Sequence, residues 1–380
     1  MLADEDQLIE NVQGFVLILA LCNYSNSIRV RHKITRSGIL EPKMAPWEHL
    51  LNFGDEATFL NVTGFTRRSF MDLETLLFVG ISGRKRGRPP SLDERGQLGL
   101  YLFYVGSSMG LKHLCLIFGT TPSATSRFIL KVMKLASGKI MRNDTRSRVR
   151  YPKTDDEFQE MTALVNRREP SARNVFSFTD GLSLKTECNP EPLVQNAYYS
   201  GYHSDTMVNN VFMFSPMGKI LLAIVNFPGS WPDSSLLNTA KETVLSNPDY
   251  SSCVDCGFKR TREYLGIFVG PYSAKQVTKL SPILKEALLA RAEIMVSLRQ
   301  SSEWGMRGLQ GTFPRLKARL MSDSKVRGRL LMSIVYLHNF RVQTVGLNQI
   351  CTVFNINYEN HINICGYDRI RRYYDRMRDI

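Results

Sequence analysis

Hydrophobic positions change their period along this chain. From Leu92 to Ile140 apolar residues recur at helical spacing, with breaks at Gly106, Gly110 and Gly119. Inside that region "LKHLCLIFGTTPSATSRFILKVM" predicts a helix, a glycine-containing turn and a second helix that Thr121 or Ser123 can cap, the pattern of a helix-turn-helix. Ser123, Thr125, Ser126 and Arg127 would then stand near the start of a recognition helix, and a plain helical hairpin packed on the core fits the same pattern. From about Asn174 the period becomes strand-like. "NVFSFTD", "TMVNNVFMFSP", "KILLAIVNFP", "SSCVDC" and "LGIFVGP" are short, β-rich and bounded by Gly, Pro, Asn or Asp. The first three are joined without helical periodicity, so an antiparallel meander is expected. "PDSSLLNTAKETVLSN" predicts a helix leading into the fourth strand, a βαβ crossover. A long helical region runs from about Leu280 to Arg319, interrupted near Pro314, and "RGRLLMSIVYLHNFRVQTV" predicts another helix. The fold class expected is α/β: an RNase H-like mixed sheet core with an N-terminal helical, helix-turn-helix-like region and C-terminal helices. Other mixed α/β folds share the pattern.

Composition narrows the classes. A chain of 380 residues, 43% hydrophobic and 22% charged, has enough apolar material for two or three packed units and is not chiefly disordered. The apolar run "GFVLILALC", Gly14 to Cys22, is well short of the ~20 residues of a membrane span and reads as a core helix. The acidic "ADEDQLIE" before it differs from the basic start of a secretory signal, so a soluble intracellular protein without a membrane partner is expected. Seven cysteines lie scattered, without framework spacing, as in a reducing compartment. Cys253 and Cys256 have the spacing of half a zinc site, yet no second ligand pair stands at usable spacing, so no zinc is expected.

Charge adds a partner class. The excess of 49 Lys+Arg over 35 Asp+Glu gives a formal charge of +14, which points to a polyanion such as nucleic acid. The basic stretch "SGRKRGRPPS" contains Arg86-Gly87-Arg88-Pro89, the core of a motif that lays arginines in an A·T-rich minor groove. A nuclear-import signal or a solvated linker accounts for Arg86 and Arg88 as well. The Arg-rich "DRIRRYYDRMR", Asp368 to Arg378, suits phosphate contacts or a solvated helix.

Acids at strand ends carry the candidate chemistry. Asp180 closes "VFSFTD" and Asp255 closes "SSCVD"; on neighbouring strands the two carboxylates converge at one edge. Alternation puts Cys253 and Asp255 on one face and Val254 and Cys256 on the other, so the thiols diverge. Glu303 lies on the long helix with Arg299 and Arg307 one turn to either side, either as ion pairs on an exposed face or as a third acid with phosphate-facing arginines. Together Asp180, Asp255 and Glu303 could hold two Mg²⁺ ions ~4 Å apart, suited to activating water and stabilising the leaving oxygen of a phosphodiester. Asp233, in "PGSWPDSS", competes for a place in that site, although its position before "SSLLN" favours a helix N-cap or first-turn acid. His338 among Leu337 and Phe340 reads as a hydrogen-bonded packing residue.

The stretches "FTDGLSL", "QNAYYSGYHSDTMVNNVFMFSPMGKI", "NFPGSWPDSSLLN", "VDCGF", "SLRQSSEWGMRGLQGTFPRLK" and "IVYLHNF", in this order, resemble the PIF/Harbinger transposases of the DDE superfamily endonucleases. The resemblance implies an RNase H-like nuclease that uses Mg²⁺, with Mn²⁺ as a substitute, to cut double-stranded DNA at transposon ends and join it to a target. It maps the acids onto Asp180, Asp255 and Glu303, and sets Asp233 in a family motif outside that triad. It also implies a Myb-like accessory protein and the nucleus, while the residue patterns above add DNA contacts by Arg86, Arg88, Ser123, Arg127, Arg299 and Arg307, with a homo-oligomer on DNA expected. Pro232 stands where the family often has His, and Cys256 where it often has Ser, so a domesticated, catalytically silent DNA-binding or adaptor protein is the alternative. The expected divisions are N-terminal helices (1–81), a basic linker (82–91), the helix-turn-helix-like region (92–150), the nuclease domain (151–345) and a basic tail (346–380).

Overall fold

A computed structural model describes residues 14–22, 34–80, 89–255, 257–258, 262–264, 266–271 and 282–354, with 282–293 as helical backbone. Arg86, Arg88, Cys256 and residues 355–380 of the expected 346–380 tail lie outside the described residues, while its Gln349–Phe354 form a helix whose Ile350 and Phe354 join the core. The sheet contains β1 (Val175–Lys185), β2 (Tyr199–Ser200), β3 (Asp205–Phe214), β4 (Ile220–Pro228), β5 (Ser251–Val254) and β6 (Phe268–Val269). β3 lies between β1 and β4 and is antiparallel to both. β5 runs parallel to β1, and β6 parallel to β5. The meander and the crossover into a parallel fourth strand are thus as the sequence pattern predicts, in a mixed α/β arrangement consistent with an RNase H-like nuclease.

Alternation along the strands explains the two-sided core. Phe212 and Phe214 of β3, Phe178 of β1 and Cys253 of β5 join the apolar cluster that includes Leu298 and Leu309 of the long helix Pro282–Thr312. Val211 and Val254 point the other way, to Leu236 and Leu237 of the short helix Asp233–Leu237. β3 is buried along its whole length after Asp205, as a central strand covered on both faces must be. Gly305 lets the long helix come down on the sheet: a Cβ there would stand 2.8 Å from the Phe214 ring.

Several predicted elements differ in detail. β1 does not end at Asp180 but continues to Lys185, because "GLSLK" keeps its ladder with β3 after β5 has stopped. A helix, Pro192–Tyr198, and the short β2 interrupt the meander, where Pro192 can start a helical turn that periodicity over so few residues does not reveal. The crossover helix breaks into Asp233–Leu237, a 3₁₀ turn at Asn238–Ala240 and Lys241–Val244. The long helix stops at Thr312, ahead of the 3₁₀ turn Pro314–Lys317. Residues 14–22 do form a helix, but Phe15, Val16, Leu17, Ile18, Leu19 and Leu21 are 47–62% exposed, so it is not the core helix expected. Its apolar residues surround the whole helix, a pattern that predicts burial only when something covers it. Among the described residues no helix is long and apolar enough to cross a membrane.

The helix Ser324–Thr344 ties the N-terminal helices to the sheet. Asn339 takes the place of a strand partner: its Oδ1 accepts from Ile220 N at 2.7 Å, and its Nδ2 donates to Ile220 O at 3.0 Å and Arg148 O at 3.1 Å. Its neighbour His338 is buried with Nε2 donating to Gly218 O at 3.1 Å, and burial lowers its pKa to about 4, which fits the packing role. On the opposite side Ser333 bonds the buried Tyr101 hydroxyl and Arg341 Nε donates to Gly64 O at 2.8 Å. One apolar cluster consequently runs from Trp47, in the first helices, to Phe354.

Candidate active site

The parallel pairing of β1 with β5 runs as far as Thr179 opposite Val254, where the Thr179 and Ser252 hydroxyls bond at 2.7 Å. The next residues in register are Asp180 and Asp255. Phe178 and Cys253 set the face, and by alternation both acids leave the sheet on the side of the long helix. Glu303 arrives from that helix. Arg299, one turn before it, donates Nη2 to Glu303 Oε1 at 2.7 Å and Nη1 to Asp255 Oδ1 at 2.9 Å. Ser302, between them, gives its hydroxyl hydrogen to Arg299 O at 2.7 Å, and its oxygen stands 3.4 Å from Asp180 Oδ2. Asp180 Oδ1 accepts from Gly181 N at 2.8 Å.

Asp233 approaches from the other face of the sheet, near enough for the charges of Asp180 and Asp255 to act on it. It does not cap its helix: Pro232 is the N-cap residue, and no side chain caps that end. Gly181 falls on the opposite face from Asp180, and the Asp233 carboxyl fills the volume a side chain there would need, 2.1 Å from an ideal Cβ. Of the two helix-start readings of Asp233 the N-cap fails and the first-turn acid holds, and to it is added a tertiary contact that its local sequence does not encode.

Burial raises the Asp180 pKa, and the charges of Asp255 and Glu303 add to that against the Gly181 amide and Arg299. Burial, then the charges of Asp180 and Asp255, raises the Asp233 pKa to about 6. Two carboxyls held above their ordinary range, with Asp255 and Glu303 sharing a single arginine, supply hard oxygen donors with one cation between them. That donor chemistry fits Mg²⁺ or Mn²⁺. As they stand, no three His, Cys, Asp or Glu side chains among the described residues close on one point, and the Arg299 guanidinium bridges Asp255 and Glu303.

The remaining candidates lie elsewhere. Arg307 is exposed on the long helix, one turn beyond Glu303. The helices Leu111–Phe118 and Pro122–Ala136 are joined by a short turn, and Thr121 caps the second by accepting from Ala124 N. Its exposed stripe is Ser123, Arg127, Leu130 and Lys134, while Ala124, Ile129, Val132 and Met133 are buried. A cavity of about 500 Å³, lined in part by Arg150, Tyr151 and Asn247, lies toward the start of β5, away from the acids.

Two buried amides beside the site escape a search for acids. Asn209 accepts from the Ser183 hydroxyl at 2.7 Å and donates to Gly229 O at 3.2 Å and Trp231 O at 2.8 Å, fixing the loop that presents Asp233. Asn210 donates to Leu182 O at 2.9 Å and accepts from Asn226 N at 2.8 Å. Their signal is "NN" inside an otherwise apolar strand, since buried amides need partners.

A mixed sheet with two acids at the end of its central parallel pair is consistent with an RNase H-like nuclease. Residues 179–339, from the position before Asp180 through Asn339, match the family model described as DDE superfamily endonuclease. The matched segment contains all four acids. No curated protein and no solved structure matches the chain.

Proposed function

We propose that this protein is a metal-dependent DNA endonuclease and transposase of the PIF/Harbinger type, which cuts DNA at transposon ends and joins it to a target. The observation that supports the proposal is the sharing of Arg299 by Asp255 and Glu303 beside Asp180, whose charges act on one another and on Asp233, within a segment that matches a DDE superfamily endonuclease. In this reading Asp180, Asp255 and Glu303 hold Mg²⁺, or Mn²⁺ in its place, with Asp233 as an accessory acid. Bound Mg²⁺ supplies Lewis acidity toward a phosphodiester and makes an attacking hydroxyl more acidic. The chain's own groups do the rest. The Gly181 amide fixes one Asp180 oxygen and leaves the other on the side of Ser302. Arg299 and Arg307 lie along one helix face for DNA phosphates, and Ser123, Arg127, Arg86 and Arg88 are further contacts to the duplex. A homo-oligomer on DNA, a Myb-like partner and a nuclear site of action belong to the same proposal.

The bridging of Asp255 and Glu303 by Arg299 favours one alternative, a domesticated DNA-binding or adaptor protein in which the acids are neutralised internally. Mg²⁺- or Mn²⁺-dependent cleavage of DNA carrying the transposon's own ends separates the two. Asp180→Asn, Asp255→Asn and Glu303→Gln are each expected to reduce cleavage to background, and Cys253→Ser to preserve it. Binding without cleavage by wild type, even with the partner supplied, would give the adaptor reading the lead.

A further inference from the structure

We infer that Arg299 is the resident counter-cation of the carboxylate cluster, exchanging its carboxylate partners for a DNA phosphate when a divalent cation enters, so that metal and DNA bind cooperatively. The inference rests on the metal-site reading above and adds a residue that controls it. Arg299 bonds one oxygen of Asp255 and one of Glu303, from two separate elements, at 2.9 and 2.7 Å. A cation drawing on those two oxygens must first remove the guanidinium, so the two compete for the same donors. The displaced group has somewhere to go. Its side chain is 31% exposed, and it shares a helix face with the exposed Arg307 on the side where the acids would meet a phosphodiester. A guanidinium presents the same fork of donors to phosphate as to carboxylate, so the exchange keeps its hydrogen bonds.

The direction of coupling follows from what Arg299 faces in each state. Without DNA, loading a metal leaves Arg299 in water beside a new dication. With DNA, a phosphate receives it. Bound DNA therefore raises metal affinity, and by linkage bound metal raises DNA affinity by the same factor. An arginine is needed rather than a lysine, because one ammonium on a flexible stem does not span both carboxylates as the planar fork does.

Mn²⁺ titrations of the full chain, followed by the loss of the free-ion signal in electron paramagnetic resonance, test this with and without a short duplex of mixed sequence. Wild type should bind Mn²⁺ about tenfold more tightly when DNA is present. Arg299→Gln should bind Mn²⁺ about tenfold more tightly than wild type without DNA and gain nothing further from it. Arg299→Lys should fall between them. Should Arg299→Gln fail to fold, Arg299→Lys and the reciprocal rise of wild-type DNA affinity with Mn²⁺ concentration carry the test. Mn²⁺ binding unchanged in the variants, or equal tightening by DNA in wild type and Arg299→Gln, overturns the exchange while leaving the metal site standing. Mn²⁺ uptake by neither wild type nor variants, with or without DNA, overturns both.

Discussion

Asp233 packs against Gly181 without a hydrogen-bond or ion-pair partner among the described residues, and burial with the charges of Asp180 and Asp255 moves its pKa from 3.8 to about 6. The folded chain thus keeps a proton there over a range in which the unfolded chain has released it. The group's contribution to stability therefore falls as pH rises from about 4 to about 6 and stays at its lowest above that. Asp233→Asn removes this dependence. In metal-free buffer the variant is expected to melt with wild type below the lower value and about 2–4 °C higher at neutral pH. Thermal unfolding of both proteins across the pH range checks it, and a difference that does not grow with pH refutes the assignment. Divalent cations should narrow the gap at neutral pH by stabilising wild type more than the variant.

At the scale of elements, the Ser324–Thr344 helix holds β4 by a side chain. Asn339→Ala would leave the Ile220 amide and carbonyl and the Arg148 carbonyl without their partner, at a cost of about 2–4 kcal/mol. Denaturant unfolding should show it as a lower midpoint at unchanged slope. A loss below about 0.5 kcal/mol would mean that water replaces the amide at no cost. The elements are largely legible in the chain: β3 and β4 are short apolar runs followed or ended by proline, and Asp255 closes another. The Arg299–Glu303 pair follows from helical spacing, whereas the contact of Arg299 with Asp255 joins residues far apart in sequence and has no local signature. The contact of Asp233 with Gly181 is hidden for the same reason. "PDSS" satisfies the local rules of a helix start, and only the packing of that helix on the sheet turns the carboxyl toward Gly181. The helix at residues 14–22 was correctly periodic, but periodicity reports that a face is apolar and not whether anything covers it.

For the whole molecule, the formal charge of +14 implies DNA affinity that weakens steeply with salt. If the stripe on Pro122–Ala136 contacts phosphates, Arg127→Ala and Lys134→Ala should each reduce the slope of log K against log salt by about 1, uniformly across sequences. Binding isotherms at several salt concentrations measure that slope, and an unchanged slope in both variants removes the stripe from the interface. The apolar cluster from Trp47 to Phe354, with Ser333 bonded to Tyr101, Arg315 to the Tyr104 carbonyl and Arg341 to Gly64, joins that stripe to the acids through packed interior. Among the described residues this shared interior shows no seam, so a duplex seated on the helices would meet the carboxylates at one offset. If the proposed grip and cleavage both hold, the molecule would work as a gauge: an extra base pair slipped between the gripped sequence and the scissile bond would move the break by one step along the DNA.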